Sequence, residues 1–460
     1  MKRHFRTITS GSTSLLLAMV REISWNNPTE VFVKIYRHFM TDSLYRNSIY
    51  LILSTAVLAF LGFFFWIINA RLYTPEEVGI ATTLISVMTF ISNFSLLGFN
   101  VALIRYLPKS SNRNRIINSV LVLIFSASLI GSIIFIAGIK LFSPKLLFLQ
   151  HNILYIISFC IFIVGASLNT IAESIFMAYR ASFNVLIKNG LLSILKLIGT
   201  LLFVFLGSYG IFSSVALATL ISALGAFILL ILRYKYYPSF EFNKKIIKDM
   251  ATFSGGNFIA GFSSQTPTLI LPLLIINILN AKIAAYYYID AMILGFLAII
   301  PSAVTQSLLA EGSYDNTKLK QQYIKSIKII STLLLPTILI IVLFGNIILH
   351  FFGKNYANEA FTLLRIISFS AIFMSVISIG NSILRVRHQI AELIIANFLS
   401  AIFILAFSYL FMHLGLTGEG IGWFIGQALS ALLYIVILGK AILIRNLRDI
   451  LNRFSHSSRA

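Results

Sequence analysis

Apolar residues along this chain do not alternate with polar ones but run on, interrupted at intervals by short polar stretches. Runs long enough to cross ~30 Å of hydrocarbon lie near 48–70, 79–104, 116–140, 153–178, 185–206, 211–232, 251–278, 283–309, 327–351, 361–384, 390–412 and 419–443. In a bilayer core every backbone N–H and C=O must be satisfied internally, which leaves helices or closed barrels, and barrel strands alternate polar with apolar. The unbroken runs therefore predict an all-α integral membrane fold of about twelve transmembrane helices.

Composition agrees. Of 460 residues, 58% are hydrophobic and 11% charged, with mean hydropathy +0.90, whereas a soluble domain carries about 25% charged residues. The 36 Lys and Arg outnumber 15 Asp and Glu, a net charge of +21. On a soluble protein that excess would suggest nucleic acid. In a membrane protein it predicts basic cytoplasmic loops and no nucleic-acid partner. With both termini cytoplasmic, about 29 of the 36 cations fall inside. Six fall outside, namely Arg71, Lys140, Lys145, Lys282, Lys354 and Arg365, and Lys196 lies within a span. This bias predicts a multi-pass protein of the cytoplasmic (inner) membrane. Residues 1–47 read as a retained basic extension, because the apolar stretch Leu15–Val20 is too short for a signal peptide and Arg21 and Glu22 follow it. Residues 445–460 read as a cytoplasmic tail.

The spans divide into two sets of six, 48–232 and 251–444, on either side of a Lys-rich linker, 233–250. Leu206-Gly207-Ser208-Tyr209-Gly210 opens the sixth span, and Leu414-Gly415-Leu416-Thr417-Gly418 opens the twelfth. The offset of 208 positions from Leu206 to Leu414 also carries Ser222-Ala223-Leu224 onto Ser430-Ala431-Leu432 and the Leu72 loop onto the Asn280 loop. Six helices per copy start both copies on the same side of the membrane, a parallel repeat of two pseudo-symmetric lobes. Two lobes facing across a cavity suit alternating access.

Polar residues three and four apart share a helix face. Asn189, Ser193, Lys196 and Thr200 form such a stripe on the fifth span. Thr82, Ser86, Thr89 and Asn93 form one on the second, and Ser254, Asn257, Gly261, Ser264 and Thr268 one on the seventh, where Gln265 adds an amide and Pro267 and Pro272 invite a kink. Each alone is ordinary helix packing; together they predict a water-filled interior. Lys196 is costly in lipid and needs a partner or water, and Glu173 on the preceding helix is the available counter-ion. The pair reads either as structural or as functional, with Lys196 attracting an anionic headgroup and Glu173 or Asp290 taking up H⁺ or Na⁺. A carboxyl group in a low-dielectric interior is suited to that exchange. The single cysteine, Cys160, lies in an apolar run. No Walker, His-Glu-x-x-His or Cys-x-x-Cys sequence occurs, and the seven His are scattered. The chain is therefore expected to have no metal site, no bound cofactor and no enzymatic chemistry.

Four segments carry a family resemblance: Ala70-Arg71-Leu72 followed by Val78-Gly79; Gly98-Phe99-Asn100 leading to Arg105; Ile300-Pro301 running to Glu311-Gly312-Ser313; and Leu414-Gly415 with Gly418. In order and spacing they resemble the polysaccharide transporter branch (O-antigen and related flippases) of the multidrug/oligosaccharidyl-lipid/polysaccharide flippase superfamily. The likeness covers about residues 45 to 445. It implies a MATE/flippase-like fold and translocation of a polyprenyl-(pyro)phosphate-linked oligosaccharide from the inner to the outer leaflet. Lys196, Asn189, Ser193, Thr200, Asn93, Thr89, Asn257 and Gln265 would then line the headgroup cavity, and Glu173 and Asp290 would couple transport to an H⁺ or Na⁺ gradient. The lipid-linked oligosaccharide, membrane lipid, a glycan polymerase and glycosyltransferases are the partners it implies. The first span lacks an acid where many multidrug extruders of the superfamily place a coupling Asp, which weakens the alternative of a cation-coupled multidrug or metabolite antiporter. The outer loops are too short for a membrane glycosyltransferase, ligase or polymerase.

Overall fold

A computed structural model describes the backbone of residues 43–314 and 319–457 and the side chains of residues 46–256, 258–309 and 321–439. Most of the basic extension, residues 1–42, the side chain of Asn257 and the side chains of the 445–460 tail lie outside the described residues. Twelve long helices are described: α1 Ser43–Leu72, α2 Pro75–Ser95, α3 Arg113–Ala137, α4 Ile153–Ala178, α5 Ser182–Leu202, α6 Ser208–Tyr234, α7 Lys244–Ile278, α8 Ala281–Tyr314, α9 Leu319–Phe352, α10 Lys354–Val386, α11 Ile390–Phe411 and α12 Gly415–Ser457. Among the described residues, eleven apolar helical segments are long enough to cross a membrane, and the last, Ile390–Gly439, contains 50 residues. A straight helix of that length would span ~75 Å, more than twice the hydrocarbon thickness. The chain instead turns at Met412–Leu414, and α11 packs along α12 as a hairpin.

Helix ends follow from local chemistry. Thr74 caps α2 reciprocally with Glu77: the Glu77 N–H donates to Thr74 Oγ1 at 3.3 Å and the Thr74 N–H to Glu77 Oε2 at 2.9 Å. Asn152 and Asn243 accept first-turn N–H groups of α4 and α7, and Asn280 accepts the Ile283 N–H at the start of α8. The second apolar run departs from the expected single span. α2 stops at Ser95, the backbone turns left-handed through Leu97 (φ 47°) and Gly98 (φ 77°), and a short helix, Phe99–Tyr106, continues. Gly98 is required there, because a Cβ would lie 2.3 Å from the Ser254 carbonyl oxygen of α7. Pro267 and Pro272 sit inside α7 without ending it.

Packing partners repeat between the halves. α1 lies on α5, α5 on α6, α6 on α4 and α4 on α3; likewise α7 lies on α11, α11 on α12, α12 on α10 and α10 on α9. The turns repeat in detail. The Ala181 N–H donates to Phe176 O at 2.8 Å, and the Gln389 N–H to Leu384 O at 2.9 Å; Arg180 and His388 are both left-handed, at φ 54° and 57°. Gly207 (φ 57°, ψ −133°) and Gly415 (φ 76°, ψ −153°) open α6 and α12 after matching 3₁₀ turns. Cβ atoms on Gly210 and Gly418 would each lie 2.1 Å from a phenylalanine carbonyl oxygen, that of Phe203 and that of Phe411. Every one of these pairs keeps the 208-residue offset.

The two helix sets meet along α2, α7 and α8. Their tightest contact is at the α1–α2 end, where a Cβ on Gly79 would lie 1.7 Å from the Ala281 carbonyl oxygen. At the same end Arg71 donates to the carbonyls of His350 (2.6 Å) and Phe351 (3.0 Å) at the C-terminus of α9, where the helix dipole favours a cation.

Candidate functional site

The α5 stripe faces α1. Asn189 Nδ2 donates to Ser54 Oγ at 2.9 Å, and Thr200 Oγ1 to Asn69 Oδ1 at 2.7 Å. Tyr73 OH closes the seam on Thr200 O at 2.9 Å. Outside the spans, burial pushes the Tyr73 phenol above its ordinary pKa, and the Glu77 charge adds to the shift. Asn189, Ser193 and Thr200 are buried; Asn189 and Thr200 join the two helices, and the Ser193 hydroxyl makes no hydrogen bond among the described residues.

Lys196 differs from its neighbours on this stripe. Its side chain is only partly buried, and Nζ lies 5.3 Å from the centroid of the Phe65 ring on α1. The π face offers a cation some compensation. Gly62 leaves room beside it, since a Cβ there would come within 3.7 Å of Nζ. No acidic group pairs with Lys196 among the described residues.

The expected pairing of Lys196 with Glu173 is therefore corrected. Glu173 Oε2 accepts from Lys188 Nζ at 3.1 Å, and Lys188 also donates to Asn169 Oδ1 at 3.0 Å. Lys188 is eight residues from Lys196 on α5, an axial separation of ~12 Å. Lys188 falls among the roughly 29 cations that the charge bias assigns to the inner side, yet its side chain is 2% exposed. Position 396, its counterpart at the 208-residue offset, is a fully buried alanine; comparing the halves would have exposed the cation as internal.

Two residues of the other stripes meet across the sets: Asn93 Nδ2 of α2 donates to Gln265 Oε1 of α7 at 3.2 Å. Beside them Phe94 packs on Phe258 and Phe262, with ring centroids 5.6 and 5.4 Å away. Thr89 bonds its own helix, at Ile85 O.

In the second set Asp290 on α8 is fully buried, and so is an acid that the sequence reading missed, Glu419 on α12. Each is within electrostatic reach of the other. Neither carboxyl group has an ion-pair partner among the described residues; the Ser408 hydroxyl stands beside Glu419 and the Leu364 backbone beside Asp290, and neither closes a well-aligned hydrogen bond. A cavity of about 90 Å³ in the same helix set is lined by Tyr287, Ala291, Met374 and Trp423, and neither acid lines it. A buried carboxyl group without an ion partner is costly in its charged form. Glu419 escaped notice because it stands at the edge of its apolar run, right after Gly418. Its counterpart at the same offset, Ile211, is fully buried, which would have marked the position as interior.

Residues 68–360 match the family described as polysaccharide biosynthesis protein. The chain belongs to that family. A protein described as "Putative O-antigen transporter" in Shigella flexneri is 26% identical over 204 residues, a match spanning 42% of this chain and about half, 47%, of that relative. Among solved structures, the lipid II flippase MurJ in an inward closed conformation superposes with TM-score 0.71 at 15% identity, covering 85% of this chain and 87% of its own. An inward-facing multidrug resistance MATE family transporter of the MOP superfamily superposes with TM-score 0.66 at 17% identity, covering 86% and 99%. These likenesses establish the all-helical fold of MOP-superfamily transporters.

Proposed function

We propose that this member of the family is a flippase. It moves a polyprenyl-(pyro)phosphate-linked oligosaccharide from the inner to the outer leaflet of the cytoplasmic membrane by alternating access between lobes 48–232 and 251–444. Lys196 carries this reading: a cation inside the first helix set, unpaired by any described acid, is matched to an anionic headgroup. The lipid tail stays in the bilayer while the sugar passes along the polar interior, where the Asn93–Gln265 amides and the neighbouring phenylalanine faces suit hydroxyl-bearing and ring surfaces. Asp290 and Glu419 take up the coupling H⁺ or Na⁺. Glu173 is already neutralised by Lys188 and drops out of that role. A glycan polymerase and glycosyltransferases act before and after the step.

The test is export in cells together with transport in vesicles. Lys196→Glu should reduce surface glycan export about 100-fold, the scale of one misplaced charge inside a membrane, with membrane insertion intact, and Lys196→Arg should retain part of the activity. Unimpaired export by Lys196→Glu overturns the headgroup role. Gradient-driven movement of a cationic dye, with no flipping of a lipid-linked sugar, would assign the chain to the multidrug antiporters instead.

A further inference from the structure

A second polar cavity lies at the basic end of the first helix set, apart from the α1–α5 seam. The α2–α3 connection, the ends of α4 and α6 and the start of the linker border an open pocket of about 600 Å³. Three cations line it: Arg113, Arg115 and Lys235. Arg115 is engaged in an ion pair with Glu241. Arg113 and Lys235 have no acidic partner among the described residues.

Basic residues gather at a cytoplasmic face without needing a cavity, so charge alone is no argument. Geometry adds to it. The Arg113 guanidinium lies 5.5 Å from the Tyr179 ring centroid. Tyr179 is stacked on Tyr234 at 5.2 Å and 16°, and the Tyr234 hydroxyl accepts from Asn184 at 2.8 Å. The cation thus rests on a platform that is itself fixed. Lys235 is held in a left-handed conformation (φ 52°), with its carbonyl accepting from Asn114 at 3.4 Å. Ser110 and Ser111 also line the pocket.

We propose that this cavity binds a phosphate ester. A guanidinium fork, an ammonium and hydroxyls match a multiply charged oxyanion. The volume greatly exceeds that of a bare phosphate and leaves room for an organic substituent. The ester comes either from a lipid headgroup or from a soluble metabolite. The inference is independent of the role given to Lys196.

The probes that separate the two sources are dioctanoyl phosphatidic acid and glycerol 3-phosphate, which share the phosphate and differ in acyl chains. Each is titrated onto the full chain in phosphatidylcholine nanodiscs. The double variant Arg113→Gln/Lys235→Gln should bind at least about tenfold more weakly, the scale of a lost charge-assisted contact. Lys244→Gln/Lys248→Gln removes the same charge from exposed positions outside the cavity and should bind as wild type does. Binding of both probes assigns a site for the shared phosphate ester; binding of the lipid alone assigns a headgroup site. The proposal is overturned if the cavity variant binds as wild type does, if the control variant loses as much, or if neither probe binds.

Discussion

The first and second helix sets share turns, hydrogen bonds and left-handed residues at a fixed offset, but they carry opposite charges inside their spans. The first holds Lys188 and Lys196 on α5; the second holds Asp290 on α8 and Glu419 on α12. At the matching positions the second set has Ala396 and Ile404 in place of the lysines, and the first has Thr82 and Ile211 in place of the acids. Shared backbone geometry with divergent buried charge separates scaffold from function. The repeated turns are what two six-helix units need in order to fold, whereas charges that differ between the copies are not required by that fold. A buried ion is costly, so each one retained in a single copy calls for its own explanation. For Lys188 the explanation is Glu173. For Lys196, Asp290 and Glu419 no ion-pair partner is present among the described residues, which is why these three carry the functional reading.

Neutralising the acids should produce the largest effect. Asp290→Asn or Glu419→Gln replaces a buried carboxyl group that no ion pair supports, so the fold should hold or gain stability by about 1–3 kcal/mol. Transport driven by an H⁺ or Na⁺ gradient should be lost in the same variants. Thermal unfolding in detergent and uptake by reconstituted vesicles read the two quantities separately. A marked fall in melting temperature would mean that the acids hold the second set together, and the contrast with Lys188 would fail.

Much of this was legible in the sequence, for a physical reason. Hydrocarbon thickness imposes a run length, so each helix from α1 to α12 announced itself, and the 208-residue repeat was readable from two Gly-x-x-Gly turns. What could not be read was helix rotation and pairing. Glu173 reaches one of two lysines that both lie on α5, and only the packing of α4 on α5 decides between Lys188 and Lys196. The stripe of Asn189, Ser193 and Thr200 was recognisable as a polar face, but not that α1 covers it. Gly98 breaks the second span because α7 passes within contact distance, a long-range cause with no local signature beyond the glycine.

The ion pair offers a smaller effect and a sharper test of equivalence. Lys188→Ala alone leaves Glu173 buried without its cation. Removing one partner of a buried pair costs 3–5 kcal/mol; because the Glu173 side chain is 30% exposed, a loss of about 2 kcal/mol is expected. Adding Glu173→Asn installs the second set's own combination, Ala396 with Asn381, and should recover most of that stability. Failure to recover it would show that the pair does more than neutralise itself.

The smallest effect concerns the two turn glycines. Gly207 and Gly415 have nearly the same backbone conformation, at φ 57° and 76°, so an alanine at either should incur a similar strain of about 1–2 kcal/mol. Their surroundings differ. A Cβ at Gly415 meets nothing within 4 Å, whereas one at Gly207 would lie 2.8 Å from Glu77 Oε1. That carboxylate also completes the cap of α2, and displacing it adds about 1 kcal/mol. Gly207→Ala should therefore melt below Gly415→Ala. Equal melting temperatures would mean that Glu77 swings aside without loss, and that the cap on α2 contributes little to holding the first set against the second.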